Sequence, residues 1–115
     1  RHAHADVILD TFPYHGTTTT CDAFAAGRTV VSLRGSTPAS RVSSSLLGAV
    51  GLADLVAHTP EAFIEKAVAL GEDAARLREL DQALPVAVRE GPLGDPEGLA
   101  DSLLRAIRSA AAAAR

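Results

Sequence analysis

Gly16 stands before four threonines, Thr17 to Thr20, and Asp22 follows Thr19 by three positions. A glycine that lets the chain turn tightly, followed by a run able to open a helix, is the composition of an anion seat. The first amides of a helix have no partner within it and carry the positive end of its dipole, so phosphate oxygens fit there. Thr17 or Thr18 is placed to act as N-cap, and the hydroxyls of Thr18 and Thr19 would add donors beside the amides. Asp22, on the same helix face as Thr19 and one turn on, could accept from a hydroxyl such as that of a ribose. The plainer alternative is a capped helix whose threonines serve solubility and local hydrogen bonds.

Such a seat needs a strand before it and a sheet beneath it. Val7-Ile8-Leu9 is a short, β-branched apolar run of the kind found in a parallel strand covered on both faces. Asp10 and Thr11 close it, and Pro13 and Gly16 stop the ladder from continuing. Ala23 to Ala26 carries the helix to Gly27, a natural stop, and Thr29-Val30-Val31-Ser32-Leu33 reads as the next strand. Strand, helix and strand at this spacing form a βαβ unit with a parallel pair and a right-handed crossover.

Further on, Val42, Leu46, Leu47 and Val50 recur at helical spacing over Ala39 to Val50, and Leu55-Val56-Ala57 reads as a brief third strand. Thr59-Pro60-Glu61 opens a helix that buries Phe63, Ala67, Val68 and Leu70 and runs to about Gly71. Another helix follows from about Asp73 to Ala83, with Leu77, Leu80 and Leu84 inward, and Pro85 ends or kinks it. A last helix starts at Asp95 and Pro96, with Leu99, Leu103, Leu104 and Ile107 read as core and the alanine tail read as frayed. The expectation is one α/β domain fragment over 1–115: a βαβ core with the site over 1–58 and a helical part over 59–115.

Composition narrows the functions. With 115 residues there is one domain's worth of chain, enough to bury roughly two thirds of its unfolded surface. It opens at Arg1, inside what reads as the polar end of a helix, so we expect a piece of a longer polypeptide. A net charge of −3 argues against a duplex-binding or anionic-membrane surface, and an aromatic content of 3% leaves no stacking platform for single strands. One cysteine makes no internal disulfide, and no apolar run approaches a membrane span, so a reducing, cytoplasmic setting is expected.

Other residues have weaker chemistry. His2 and His4 could be read as a metal pair, but no Cys, Asp or Glu cluster completes a ligand set, and no metal is expected. Cys21, in the first turn of a helix, could be read as a thiolate, but local spacing fixes no histidine partner and a small residue packed beside the sheet explains it well enough. Arg41 is a candidate for facing the cleft and an anionic group. A receiver-like signalling module would need an acidic pair after its first strand and a lysine late in the sheet, and the lone Lys66 falls in a helix.

Leu9-Asp10-Thr11-Phe12-Pro13-Tyr14, then Gly16, Thr18-Thr19 and Cys21-Asp22-Ala23, resembles the C-terminal part of the O-linked N-acetylglucosamine transferase family, including bacterial members that carry tetratricopeptide repeats. Gly27, Val30-Val31-Ser32-Leu33, Gly35, Ala39-Ser40-Arg41-Val42, Ser45-Leu46-Leu47, Gly51-Leu52, Asp54-Leu55 and Pro92-Leu93 continue the resemblance in order.

It implies a Rossmann-like parallel sheet with flanking helices, part of the C-terminal lobe of a GT-B glycosyltransferase that grips the UDP of a UDP-sugar. By resemblance Gly16, Thr17, Thr18 and Thr19 meet the diphosphate, Asp22 the ribose and Arg1 the uracil. The implied reaction is inverting transfer of N-acetylglucosamine or a related hexose to a serine or threonine of a protein acceptor. No catalytic residue is expected in this fragment, which alone should not turn over. UDP-sugar is then a substrate, no cofactor is implied, and the partners are an N-terminal lobe and tetratricopeptide repeats of the same chain, with no nucleic acid and no membrane. Where the family carries Asn-Gly-His-Thr-Thr, this chain has His15-Gly16-Thr17-Thr18-Thr19, so Thr17 replaces the histidine beside the phosphates. That change supports one alternative, a degenerate lobe acting as a binding or scaffold module.

Overall fold

The computed structural model describes residues 6–114. Strand β1 (Val7–Leu9) leads through a loop to helix α1 (Thr18–Ala25), then strand β2 (Thr29–Leu33), helix α2 (Val42–Ala49), strand β3 (Val56–Ala57) and helices α3 (Pro60–Gly71), α4 (Ala74–Glu90) and α5 (Pro96–Ala113). The three strands form one parallel sheet in the order β1-β2-β3. Ile8 pairs with Val30 and Ser32 with Val56, and the ladder runs one step past β1 where the Asp10 amide donates to the Val31 carbonyl at 3.0 Å.

Strand β2 is central, and four of its five residues are buried, as a β-branched strand covered on both faces requires. The core around it gathers Phe24 of α1, Leu47 of α2, Leu70 of α3 and Leu80 and Leu84 of α4. Gly27 ends α1 with φ +81°, and a Cβ there would come within 2.7 Å of the Asp81 carbonyl oxygen, so the close approach of α4 to this corner admits only glycine.

Four sequence expectations are corrected. The span Ala39 to Val50 is not one helix: Pro38–Ser40 forms a 3₁₀ turn, and Ser40 closes it by accepting from the Thr37 amide at 3.0 Å. Arg41 (φ −127°, ψ −6°) then leaves helical geometry, and α2 starts at Val42. Pro85, expected to end or kink the helix with Val86 to Glu90 able to resume it, lies inside α4, which continues to Glu90: Leu80, Leu84 and the partly buried Val88 keep one apolar face against the core across the missing amide. Val68, read as buried, is 53% exposed, since Phe63, Ala67 and Leu70 take the inward side of α3.

The other two concern α5. Its Leu99, Leu103, Leu104 and Ile107, read as core, are 68, 57, 50 and 55% exposed, because no other described element covers that face. The alanine tail, read as frayed, is helical through Ala113.

Candidate functional site

The loop Asp10 to Thr17 leaves β1 at the C-terminal end of the sheet, the end at which parallel α/β sheets bind ligands. It is pinned from several sides. The Asp10 carboxylate accepts from the Thr11 amide at 3.0 Å and the Gly16 amide at 3.1 Å through Oδ1, and from the Ser32 hydroxyl at 2.9 Å through Oδ2. The Gly16 carbonyl in turn accepts from the Thr20 hydroxyl at 3.0 Å. A Cβ at Gly16 would run into the Thr19 hydroxyl, which would have to turn away to admit it.

His15 is 2% exposed and faces inward. Its Nε2 donates to the Leu33 carbonyl at 2.8 Å and its Nδ1 accepts from the Ser43 amide at 3.3 Å, an arrangement that describes the neutral Nε2–H tautomer. In that tautomer the 3.5 Å approach of Nδ1 to Asp10 Oδ2 is a contact between two acceptors, not an ion pair. The His15 amide donates to the Ala39 carbonyl at 2.9 Å, tying the loop to the segment before α2. His15 is thus bonded to β2, to α2 and to the segment between them, and it holds the loop in place.

Asp10, His15 and Ser32 together have the composition of a hydrolytic triad but not its geometry. Ser32 donates to the carboxylate at 2.9 Å and lies 3.5 Å from the imidazole Nε2, and its residue is fully buried.

Above this base the loop opens outward. Thr11, Tyr14, His15, Gly16, Thr17, Thr18 and Thr19 line a shallow cavity of about 330 Å³. Thr17 is the N-cap residue of α1, but its side chain makes no capping bond. Among the described residues the amides of Thr17, Thr18 and Thr19 have no protein acceptor, and all three residues are exposed. The Gly16 amide is taken by Asp10, so Gly16 shapes the seat and the amides that follow it are the ones free to bind.

Of the sequence-predicted site residues, Gly16, Thr17, Thr18 and Thr19 share this cavity. Asp22 is exposed on α1 one turn further on and is not among its lining residues. Arg1, assigned to the uracil, and the pair His2 and His4 lie outside the described residues. Arg41 is exposed, its Nε donates to the Gly35 carbonyl at 3.1 Å, and it does not line the cavity.

Nothing at Cys21 favours a thiolate: burial pushes its thiol above the usual 9.0, and the neighbouring Asp22 charge pushes the same way. Lys66 serves neither reading, since its Nζ donates to the Asp54 carbonyl at 2.6 Å in a separate hollow where Arg76 pairs with the Asp54 carboxylate at 2.7 Å. Among the described residues no group of three His, Cys, Asp or Glu is placed to hold a metal.

The profile of glycosyl transferase family 41 matches residues 1–101. The chain belongs to glycosyl transferase family 41. It is 41% identical over 104 residues to the probable UDP-N-acetylglucosamine–peptide N-acetylglucosaminyltransferase SPINDLY of Hordeum vulgare, covering 90% of this chain and 11% of that protein. It is also 41% identical over 76 residues to the UDP-N-acetylglucosamine–peptide N-acetylglucosaminyltransferase of Caenorhabditis elegans, covering 66% of this chain and 7% of that one. A solved structure of a Thermobaculum terrenum O-GlcNAc transferase mutant superposes with a TM-score of 0.81 at 37% identity, over 99% of this chain and 23% of its own. The chain thus spans about a tenth of the length of the curated relatives it matches. Within family 41 its parallel sheet and flanking helices are a Rossmann-like part of the C-terminal lobe of the GT-B fold. No helix among the described residues is long and apolar enough to cross a membrane.

Proposed function

We propose that this segment binds the diphosphate of a UDP-sugar for an inverting protein O-glycosyltransferase that passes N-acetylglucosamine or a related hexose to serine or threonine. One observation supports this reading above the others: three exposed residues at the start of α1, whose amides have no acceptor among the described residues, line a cavity at the C-terminal end of β1. The names of the family 41 relatives supply the donor and the peptide acceptor.

In the proposed step the acceptor hydroxyl attacks the anomeric carbon as the bond to the β-phosphate breaks, and negative charge builds on the departing UDP. Amides of Thr17 to Thr19 and the threonine hydroxyls then bind that charge more strongly in the transition state than before it, which is what accelerates the reaction. The Gly16 turn allows the phosphate to come close, Asp22 accepts from the ribose, and Arg1 contributes at the uracil. The groups that activate the acceptor belong to the rest of the transferase, whose N-terminal lobe and tetratricopeptide repeats complete the cytoplasmic enzyme. An amide seat needs no divalent cation to neutralise the diphosphate, so chelation with EDTA is expected to leave binding unchanged.

The test is calorimetric titration of the full-length transferase with UDP, UDP-N-acetylglucosamine and, as a control for the base, a GDP-sugar. Removing two hydrogen-bonding groups in a Thr19→Ala, Asp22→Ala double variant should weaken binding by about tenfold or more. Equal heats for variant and wild type would remove the donor-site reading. Binding of the GDP-sugar in place of UDP would keep the phosphate seat and overturn the uracil assignment.

A further inference from the structure

We infer that Asp10 is a positioning residue that sets the phosphate seat without touching the donor, an inference that rests on the donor-site reading above. Its side chain is 4% exposed and outside the lining of the threonine cavity; it borders a smaller adjoining hollow of about 130 Å³ with Thr11, Gly16 and Thr19, where its oxygens are taken by donors of the protein. Through Oδ1 it joins the two ends of the loop, accepting from the amides of Thr11 at 3.0 Å and Gly16 at 3.1 Å. Through Oδ2 it accepts from Ser32 on the central strand at 2.9 Å. Three donors converge on it, so the group works as a carboxylate acceptor and its bonds are charge-assisted.

The consequence falls on the next peptide. With the Gly16 amide turned down to Asp10 and its carbonyl held by Thr20 at 3.0 Å, both polar groups of Gly16 are engaged and its orientation is set. Thr17 then takes φ −119°, ψ −68°, a helical conformation at the N-cap that leaves its side chain off its own amides. The free amides of Thr17 to Thr19 are aimed before any ligand arrives, and preorganisation of this kind is what makes an electrostatic site effective. A carboxylate close to an anion seat opposes the donor by its charge, so geometry and charge predict opposite signs on substitution.

The experiment measures KM for donor and KM for acceptor peptide in the full-length transferase. Asp10→Ala leaves two amides and a hydroxyl without their acceptor and is expected to raise the donor KM by about thirtyfold or more, with the acceptor KM unchanged. Asp10→Asn keeps the Oδ1 acceptor and lets Ser32 reverse its hydroxyl, so it is expected to rescue donor KM to within about threefold of wild type. Ser32→Ala, which keeps both amide bonds, should raise the donor KM by about three- to tenfold at unchanged acceptor KM. If Asp10→Ala does not fold, Ser32→Ala and Asp10→Asn still decide. An unchanged donor KM in Ser32→Ala, a loss in Asp10→Asn as large as in Asp10→Ala, or equal rises for donor and acceptor would overturn the positioning role. A wild-type enzyme that binds no nucleotide sugar would instead overturn the donor site itself.

Discussion

Helices α3, α4 and α5 begin with a side chain folded back onto their own amides, and α1 does not. Thr59 accepts from the Ala62 amide at 3.1 Å, Asp73 from Arg76 at 3.1 Å and Asp95 from Gly98 at 2.9 Å. Thr17 is the same residue type as Thr59 in the same N-cap position and makes no such bond. The difference lies in the backbone: Thr59 is extended at φ −135°, ψ 154°, the conformation from which a cap reaches forward, whereas Thr17 is helical at φ −119°, ψ −68°. What holds Thr17 there is the residue before it, fastened by Asp10 and Thr20. Capping thus depends on how the chain enters the helix as well as on residue type; α2, entered through Arg41, also starts without a side-chain cap, and of these two open starts only that of α1 borders the threonine cavity.

The strongest way to break this contrast is to fill the open start of α1 with a charge of the protein's own. Thr17→Asp places a carboxylate where the diphosphate is proposed to sit, and by its charge at the positive end of the helix dipole, without a capping bond from this backbone, it should stabilise the helix start by about 0.3–1 kcal/mol while lowering donor affinity by about a hundredfold. Thermal melting and calorimetry would then move in opposite directions. A variant that binds donor normally would show that the amides of α1 are not the seat. Thr18→Ala, which leaves the amides in place and removes one lining hydroxyl, should cost about tenfold in donor affinity with no change in melting temperature.

The capped helices provide the converse. Thr59→Ala and Asp73→Ala should each lose about 1 kcal/mol of stability, read by denaturant unfolding, while donor affinity stays at wild type. Asp95→Ala should show mainly as reduced helicity in α5, because no residue of that helix is buried and its ends depend on local bonds. A loss of donor affinity in any of the three would mean that the two kinds of helix start are coupled through the fold.

Much of this was legible in the sequence, because the deciding signals were local. Val7-Ile8-Leu9, the βαβ spacing, Gly27 as a stop and Thr59-Pro60-Glu61 as a start each appear where the residues place them. The cavity formed by Gly16, Thr17, Thr18 and Thr19 follows from the same kind of signal. What spacing could not show is the base of the site, since Ser32 reaches Asp10 across 22 positions and Ser43 reaches His15 across 28. A clue was present: a serine inside the apolar run Val30 to Leu33 must find a partner once the strand is buried, and a strand-end aspartate is such a partner. The α5 leucines misled for the opposite reason, since periodicity marks which face of a helix is apolar and does not say that the face is covered.

The smallest effect concerns the limits of the open helix end. Cys21 lies one turn into α1, close enough to the uncapped amides for a thiolate to be expected if the dipole reached that far. Burial raises its thiol above 9.0 and Asp22 adds to the rise. The sign can be followed through both titrations. The folded chain holds the proton that the unfolded chain gives up above about 9, so this group costs no stability at neutral pH and removes some as pH climbs past that value. Alkylation by iodoacetamide should therefore be slower than that of a free cysteine at pH 8 and should accelerate only above pH 9, with Asp22→Asn moving the profile slightly to lower pH. A reactivity plateau already reached at neutral pH would mean that the dipole extends past Thr20, and the open seat would then include the second turn of α1.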